Sequence, residues 1–219
     1  QKNNYSKIRT SLGITPLDSL LYSPICLVVE GKTEALACRE IFNLMKEIGH
    51  INQSEYENIG NLIHIIDGQG SKLGPYCKLV ESQGEYPIEF CDGDQIDSVE
   101  SSLKANGSFR LVHMPKQTEF EQLIKRPIYF EALDNELLLN NSEKKFAEFI
   151  KELPDDDVIR KKAFTKQVES WLKLNNPDVV YRKPVVMLNA IKNIKSIDDL
   201  EYPSVLQKLR DEIFTVMKL

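Results

Sequence analysis

The amino-acid sequence predicts an α/β fold in which a mostly parallel, four-stranded sheet is flanked by helices. Four short apolar segments, at 25–29, 62–66, 86–91 and 109–114, carry this prediction. Helical periodicity separates each segment from the next, and strands that alternate with helices favour parallel pairing with right-handed crossovers. After residue 126 the pattern changes to long amphipathic stretches without a clear strand, which indicates a helical C-terminal extension.

The changes in sequence pattern divide the chain into three parts. These are a lead-in segment (1–23), an α/β core (24–127) and a helical extension (128–219) that completes the site. In the first two parts we predict helices at 16–22, 35–48, 72–82 and 95–105. The helix at 35–48 shows an apolar stripe formed by Leu36, Ile41, Leu44, Met45 and Ile48. In the extension we predict helices at 129–139, 142–153, 157–174, 184–194 and 203–217.

The composition is that of an ordinary globular protein. The 219 residues are 42% hydrophobic and 28% charged, which argues against disorder. No apolar run approaches the roughly 20 residues that a membrane-spanning helix needs. The polar start lacks the apolar segment of a secretory signal, and its first residue, Gln1, is compatible with a fragment of a longer protein. We therefore expect a cytoplasmic location and no membrane partner.

The cysteines and histidines show no spacing typical of a metal site. We expect four buried thiols in a reducing cytoplasm, because none has CxxC spacing and each lies in or beside an apolar segment: Cys26, Cys38, Cys77 and Cys91. The histidines are isolated from one another. We interpret His64 and His113, which lie in predicted strands, as packed or edge residues.

The net charge of -5 argues against a protein that binds nucleic acid through its own basic face. Two considerations weaken this argument. An acidic cluster becomes electropositive once it holds divalent cations. Most phosphate contacts can also lie on another domain of the full-length protein.

Acidic residues follow three of the predicted strands at the point where each strand ends. Glu30 follows the first strand, Asp67 the second, and Asp92 and Asp94 the third. Glu34 lies four residues after Glu30, where the first turn of a helix returns it to the same edge. Ligand sites of open parallel sheets lie at this edge, and so many carboxylates would repel one another without cations. The pattern predicts a site for magnesium, manganese or calcium, of the kind that phosphoryl transfer requires.

Several charged residues near this edge have simpler explanations. For Asp67, which precedes a glycine, we favour a turn role. Asp97 is equally compatible with the acidic cluster and with the first turn of a helix. Lys32 and Lys72 are equally compatible with contacts to a phosphate backbone and with solvated side chains.

The motifs resemble those of a known domain. A buried strand followed by Glu30-Gly31-Lys32-Thr33-Glu34, with Asp92-Gly93-Asp94 after a later strand, resembles the Toprim domain of topoisomerases, primases and certain nucleases. The closer match is to the overcoming-lysogenization-defect (OLD) nucleases, in which an ATP-binding-cassette ATPase precedes a C-terminal Toprim domain. Segments 12–20 and 66–72 also look like that family. The resemblance covers roughly residues 10 to 130 well and the helical tail only loosely.

The resemblance implies a Toprim-like fold, with residues 24–127 as the catalytic core of a DNA endonuclease or nickase in phage defence or DNA processing. It implies a two-metal site for Mg²⁺ or Mn²⁺. Glu30 would be a ligand of the first metal and a candidate general base, with Asp92 and Asp94 as further ligands, and Glu34 would bind the second metal. The implied partners are DNA and an ATPase domain in the same polypeptide.

Two further site residues are implied by the resemblance. The family has an acid after the fourth strand, for which Glu121 is the best candidate and Glu119 the alternative, and this acid would be a further metal ligand. It also has a late lysine followed by proline, which Lys183-Pro184 matches. Such a lysine would stabilise charge on the transferring phosphate, although a surface lysine before a helix-opening proline explains Lys183 equally well.

Other interpretations remain open. Another Toprim activity, primase or topoisomerase, is one alternative, but strand passage needs a tyrosine nucleophile and nothing marks one among the eight tyrosines. A receiver-like module would need paired acids after the first strand, and a haloacid-dehalogenase phosphatase would have its DxD there. The domain could also be a non-catalytic assembly module. The apolar stripes of the helical tail are explained equally well by a homodimer and by core packing.

Overall fold

The strands form one parallel sheet. The computed structural model describes residues 25–70, 73–82, 86–97, 99, 110–139, 146, 164–175 and 177–217. The strands are β1 (Ile25–Val29), β2 (Ile63–Asp67), β3 (Tyr86–Cys91) and β4 (Arg110–His113). All neighbouring strands pair in parallel, in the order β2-β1-β3-β4. The sheet confirms the predicted α/β class and is consistent with a Toprim-like fold.

Seven helices surround the sheet in the described part of the chain. The α/β core contains α1 (Lys32–Glu47), α2 (Gln53–Leu62) and α3 (Leu73–Ser82). The extension contains α4 (Arg126–Leu139), α5 (Phe164–Asn175), α6 (Lys183–Lys192) and α7 (Pro203–Met217). The predicted helices at 16–22 and 142–153, and most of 95–105, lie outside the described residues. None of the described helices combines the length and the apolar character needed to span a bilayer.

Helix α1 begins three residues earlier than predicted. Its first backbone hydrogen bond runs from the N–H of Ala35 to the carbonyl of Gly31 at 3.0 Å, so Lys32 is already helical. The predicted stripe is wrong at Leu36, whose side chain is 45% exposed. The buried face consists instead of residues at helical spacing from position 37 onwards: Ala37, Cys38, Ile41, Phe42, Leu44 and Met45.

Helix α2 is absent from the sequence prediction. Its start is marked by a capping box, in which the Asn52 side chain accepts from the N–H of Glu55 and the Glu55 carboxylate accepts from the N–H of Asn52. Only Ile59 is buried in this helix, so it shows no apolar stripe. Because α2 includes Leu62, strand β2 begins one residue later than predicted and ends at Asp67.

Both faces of the sheet are covered. Ile25, Leu27 and Val29 of β1 belong to the larger core cluster, which includes residues of α1, α4, α6 and α7. Cys26 and Val28 belong to a smaller cluster beneath α3. This two-sided burial explains the continuous apolar run of β1. All four cysteines are buried free thiols, as predicted, and the histidines in β2 and β4 are half-buried.

Candidate metal centre

Three carboxylates meet at the C-terminal ends of β1 and β3. These strands are neighbours, with Val29 beside Phe90, so Glu30 leaves the sheet next to Asp92. One carboxylate oxygen from each of Glu30, Asp92 and Asp94 lies within 4.8 Å of the other two. The N–H of Asp92 also donates to Glu30 at 3.3 Å. Three hard oxygen ligands at this spacing suit a divalent cation such as Mg²⁺ or Mn²⁺.

Glu34 approaches the same edge from the first turn of α1. Its side chain is only 6% exposed, and the helix dipole favours a negative charge at this position. A Cβ atom on Gly31 would lie 3.1 Å from Oε2 of Glu34, so the glycine leaves room for the carboxylate. Burial is the largest cause of the raised pKa of Glu30 and of Asp92, and the charge of Glu34 adds to both. Glu34 is therefore electrostatically coupled to these two acids.

The glycine between the two aspartates is required by a close approach of the backbone. The chain turns back after β4, and the N–H of Gly93 donates to the carbonyl of Thr118 at 2.8 Å. A Cβ atom at Gly93 would lie 1.8 Å from the carbonyl oxygen of Pro115. No side chain fits there, so the Asp92-Gly93-Asp94 motif depends on its middle residue for packing as well as on its acids for charge.

Of the two candidate acids after β4, Glu121 is the one coupled to the cluster. The N–H of Phe120 donates to Oδ1 of Asp92 at 2.7 Å, which fixes this turn against the site. Glu121 is fully buried, and after burial its charge is the largest cause of the raised pKa of Asp92. Glu119 instead caps the 3₁₀ helix that follows it, and its Oε2 accepts from the N–H of Thr165 at 3.1 Å. Glu119 therefore has a structural role.

Lys183 adds a positive charge to this group of acids. It is the first residue of α6, which packs against α1 and α4, and its Nζ lies 3.0 Å from Oε1 of Glu121. Burial lowers the pKa of the Lys183 ammonium, but the nearby charges of Glu121 and Glu34 raise it by more. The lysine is consequently protonated at neutral pH. Lys183 therefore begins a helix before Pro184 and also forms an ion pair in the site.

Two buried acids of the site, Asp92 and Glu121, have strongly raised pKa values. Burial, followed by the charges of Glu121 and Glu30, raises the pKa of Asp92 to about 9. Burial also raises the pKa of Glu121 to about 7, although Lys183 opposes this rise. Because metal ligands must be deprotonated, protons and cations compete for these oxygens. The donor set thus fits a divalent cation, which would remove the repulsion among the carboxylates.

The loop after β2 supports Glu30 without adding a ligand. Oδ1 of Asp67 accepts from the N–H of Gln69 at 2.8 Å, which confirms its turn role. Gln69 and Gly70 both have positive φ angles, 51° and 70°. The N–H of Gly70 donates to the carbonyl of Glu30 at 2.7 Å, so this turn fixes the backbone of a predicted ligand.

The remaining predicted residues lie at the margin of the site or outside the described part. Asp97 forms an exposed ion pair with Lys116 at 3.0 Å, which favours a surface role. Lys32 is exposed at the start of α1. Lys72 lies outside the described residues.

Sequence reasoning missed two sets of residues. The first is Glu89, in the middle of β3, which is 1% exposed. The sequence feature that could have revealed it is an acid inside a strand that is otherwise apolar. Tyr181 and Arg182, which immediately precede Lys183, contact side chains of α4. These contacts join residues about 50 positions apart in the chain, and no local motif marks them.

Comparisons with known proteins do not identify a family. No protein-family model, curated protein or solved structure matches this chain. The resemblance to Toprim and OLD nucleases therefore stays a prediction based on the motifs of Glu30–Glu34 and Asp92–Asp94. The basis for inferring the chemistry of the site is therefore the geometry and the charges of the site residues.

Proposed function

We propose that this chain is a divalent-metal-dependent DNA endonuclease or nickase domain that hydrolyses phosphodiester bonds by a two-metal mechanism. The observation that carries the proposal is the carboxylate cluster of Glu30, Asp92 and Asp94, with the ion pair between the buried Glu121 and the half-buried Lys183 beside it. Carboxylate oxygens favour Mg²⁺ or Mn²⁺. A lysine next to them supplies positive charge where a transferring phosphate gains negative charge.

The residues of the site have distinct roles in this proposal. Glu30, Asp92 and Asp94 would hold one cation, and Glu34, with Glu121 nearby, would hold the second. Such cations activate a water and stabilise the leaving oxygen. Glu30, whose pKa is raised by burial, accepts a proton from the attacking water. The Lys183 ammonium binds the non-bridging oxygens of the scissile phosphate.

The biological setting of the proposal comes from the motif resemblance. We infer a cytoplasmic enzyme of phage defence or DNA processing, which the four free thiols support. The net charge of -5 is explained if cations and an ATPase domain in the same full-length polypeptide provide most of the phosphate binding. A homodimer formed through the helical extension is part of the same hypothesis.

A plasmid-nicking assay tests the proposal. The wild type should nick supercoiled DNA with MnCl₂ and lose this activity with EDTA. Glu30→Gln, which keeps the shape but removes the charge, should slow nicking by about 100-fold. Glu47→Gln is the matched control, because Glu47 is an exposed glutamate at the other end of α1, and it should nick at the wild-type rate. RNA of the same sequence, assayed in parallel, identifies the preferred nucleic acid.

Equal rates for the wild type and Glu30→Gln would reject the assignment of Glu30. If the chain does not nick DNA, the full-length protein with its ATPase domain is the next sample. Failure of that protein to cut DNA with either Mn²⁺ or Mg²⁺ would reject the nuclease function.

A further inference from the structure

The segment that carries Lys183 into the site is attached to α4 at two points. The hydroxyl of Tyr181 lies 2.5 Å from the hydroxyl of Tyr129, whose side chain is fully buried. Arg182 forms an ion pair with Glu136, which is 4% exposed. Tyr129 and Glu136 are seven residues apart on α4, so two helical turns place them on the same face. One face of α4 therefore holds two consecutive residues of this segment.

These attachments are costly to break. A hydrogen bond between buried tyrosine hydroxyls stabilises the fold, which keeps Tyr181 beside Tyr129. A buried carboxylate is stabilised by a cation beside it, which keeps Arg182 beside Glu136. The described residues 177–182 contain no helix or strand. Within the described part of the chain, the backbone of Arg182 is bonded only to its own helix, where its carbonyl accepts from the N–H groups of Val185 and Val186. The two side-chain contacts therefore attach this segment to α4.

The position of this segment determines where the lysine lies. Lys183 follows Arg182 directly, and its Nζ lies 3.0 Å from Oε1 of Glu121. A lysine side chain has four flexible bonds and is not pre-organised in the way an arginine is. Its ammonium reaches the same point reproducibly only if the backbone at the start of α6 is fixed.

We infer that Tyr181 and Arg182 are positioning residues, which hold the ammonium of Lys183 against Glu121 and so aim it at the scissile phosphate. The inference deepens the proposed function and rests on it. Neither residue is assigned a contact with the substrate. Both act through Lys183.

The test combines a labelling experiment with a rate measurement. Tyr181→Phe removes only the hydroxyl. Tyr56→Phe is the matched control, because the half-buried Tyr56 hydroxyl donates to Asn43 between α2 and α1. Lys183 is labelled with an amine-acetylating ester and quantified by mass spectrometry, with Glu121→Gln as the variant that releases the lysine directly. Nicking rates and the Mn²⁺-induced rise in Tm are measured on the same samples.

Tyr181→Phe should increase the labelling of Lys183 severalfold, towards the level of Glu121→Gln, and slow nicking by about tenfold through misplacement of the ammonium. The Mn²⁺-induced rise in Tm should match that of the wild type. Tyr56→Phe should change neither labelling nor rate. Arg182→Gln should act like Tyr181→Phe, and Arg182→Lys should recover part of the rate because it keeps the charge.

The inference is overturned if Tyr181→Phe leaves the labelling of Lys183 unchanged, whatever happens to the rate. It is also overturned if Lys183 becomes more reactive while nicking continues at the wild-type rate. If neither these samples nor the full-length protein nicks DNA but Tyr181→Phe still exposes Lys183, the proposed function fails and the anchoring of the lysine stands. The labelling result thus separates the two claims.

Discussion

Glu121 and Glu89 are the most deeply buried glutamates among the residues that the structure describes, and their surroundings differ. Glu121 lies at the C-terminal edge of the sheet, with Lys183 at 3.0 Å and Asp92 nearby. Glu89 lies in the middle of β3 beneath α3, where the thiol of Cys77 donates to its Oε2 at 3.7 Å. Burial raises the pKa of both carboxyl groups. Glu121 belongs to a charged group that can exchange protons for cations, whereas the apolar surroundings of Glu89 favour its neutral form.

The comparison shows that burial alone does not identify a functional acid. By exposure the two residues are equivalent, at 0% for Glu121 and 1% for Glu89. Their positions relative to the sheet differ, because Glu89 lies inside it and pairs with Val28 and Leu111. Glu121 lies where the ends of parallel strands converge, which is where such sheets bind ligands.

The largest effect is expected from the lysine that distinguishes the two environments. Lys183→Ala should slow Mn²⁺-dependent nicking by about 100-fold or more, because it removes a fixed positive charge from the position of the phosphate. Lys192→Ala, at the exposed C-terminal end of α6, should retain the wild-type rate. Initial rates on supercoiled plasmid measure both. A wild-type rate for Lys183→Ala would remove the lysine from the mechanism.

The next largest effect concerns the turn that places Glu121. Gly93→Ala puts a Cβ atom 1.8 Å from the carbonyl oxygen of Pro115, and this overlap should lower the free energy of unfolding by about 3 kcal/mol. Gly60→Ala is the control, since nothing lies within 4 Å of its added Cβ in helix α2. It should raise the free energy of unfolding by about 0.5–1 kcal/mol. Urea denaturation measures both, and equal stability of the two variants would contradict the close approach.

A moderate effect is expected from pH. The pKa values of Asp92 and Glu121 are raised to about 9 and about 7, so their protonated forms stabilise the metal-free fold. That contribution is complete below the unfolded-state values of about 4 and is lost as pH rises through 7 and 9. Mg²⁺ binds the deprotonated forms, so the Mg²⁺-induced rise in Tm should increase between about pH 6 and pH 8.5. The same rise at both pH values would contradict competition between protons and cation.

The smallest effect is expected at Glu89. Its raised pKa means that its stabilising contribution is present at low pH and declines as pH rises through the folded-state value. Glu89→Gln keeps the shape without a titrating group, so the free energy of unfolding should depend less on pH than in the wild type. At neutral pH the variant should differ from the wild type by no more than about 1 kcal/mol and should nick DNA at the same rate. A large loss of nicking would make Glu89 part of the site.

The sequence predicts the sheet and the grouping of Glu30, Asp92 and Asp94 at its edge, for a physical reason. Strands β1 and β3 are buried on both faces, so apolar runs, interrupted in β3 by Glu89, mark their ends at Val29 and Cys91. Parallel pairing then brings the following acids, Glu30 and Asp92, to one edge. Helix α2 was missed because it buries one residue, and its signal lies in the capping pair of Asn52 and Glu55.

The rest of the site depends on contacts that no local pattern contains. Glu119 and Glu121 are two residues apart on a turn, and the hydrogen bond from Phe120 to Asp92 determines which of them is coupled to the cluster. The anchoring of Tyr181 by Tyr129 spans 52 positions. Such contacts arise from tertiary packing, whereas the strand ends follow from periodicity.

A metal titration tests the central claim, that Glu30, Asp92 and Asp94 form a divalent cation site. Isothermal titration of the wild type with MnCl₂ should show saturable binding, and Asp92→Asn should lose it. Asp97→Asn is the control, because this exposed acid pairs with Lys116, and it should bind Mn²⁺ like the wild type. Absence of binding in the wild type, or equal binding by Asp92→Asn, would contradict the assignment.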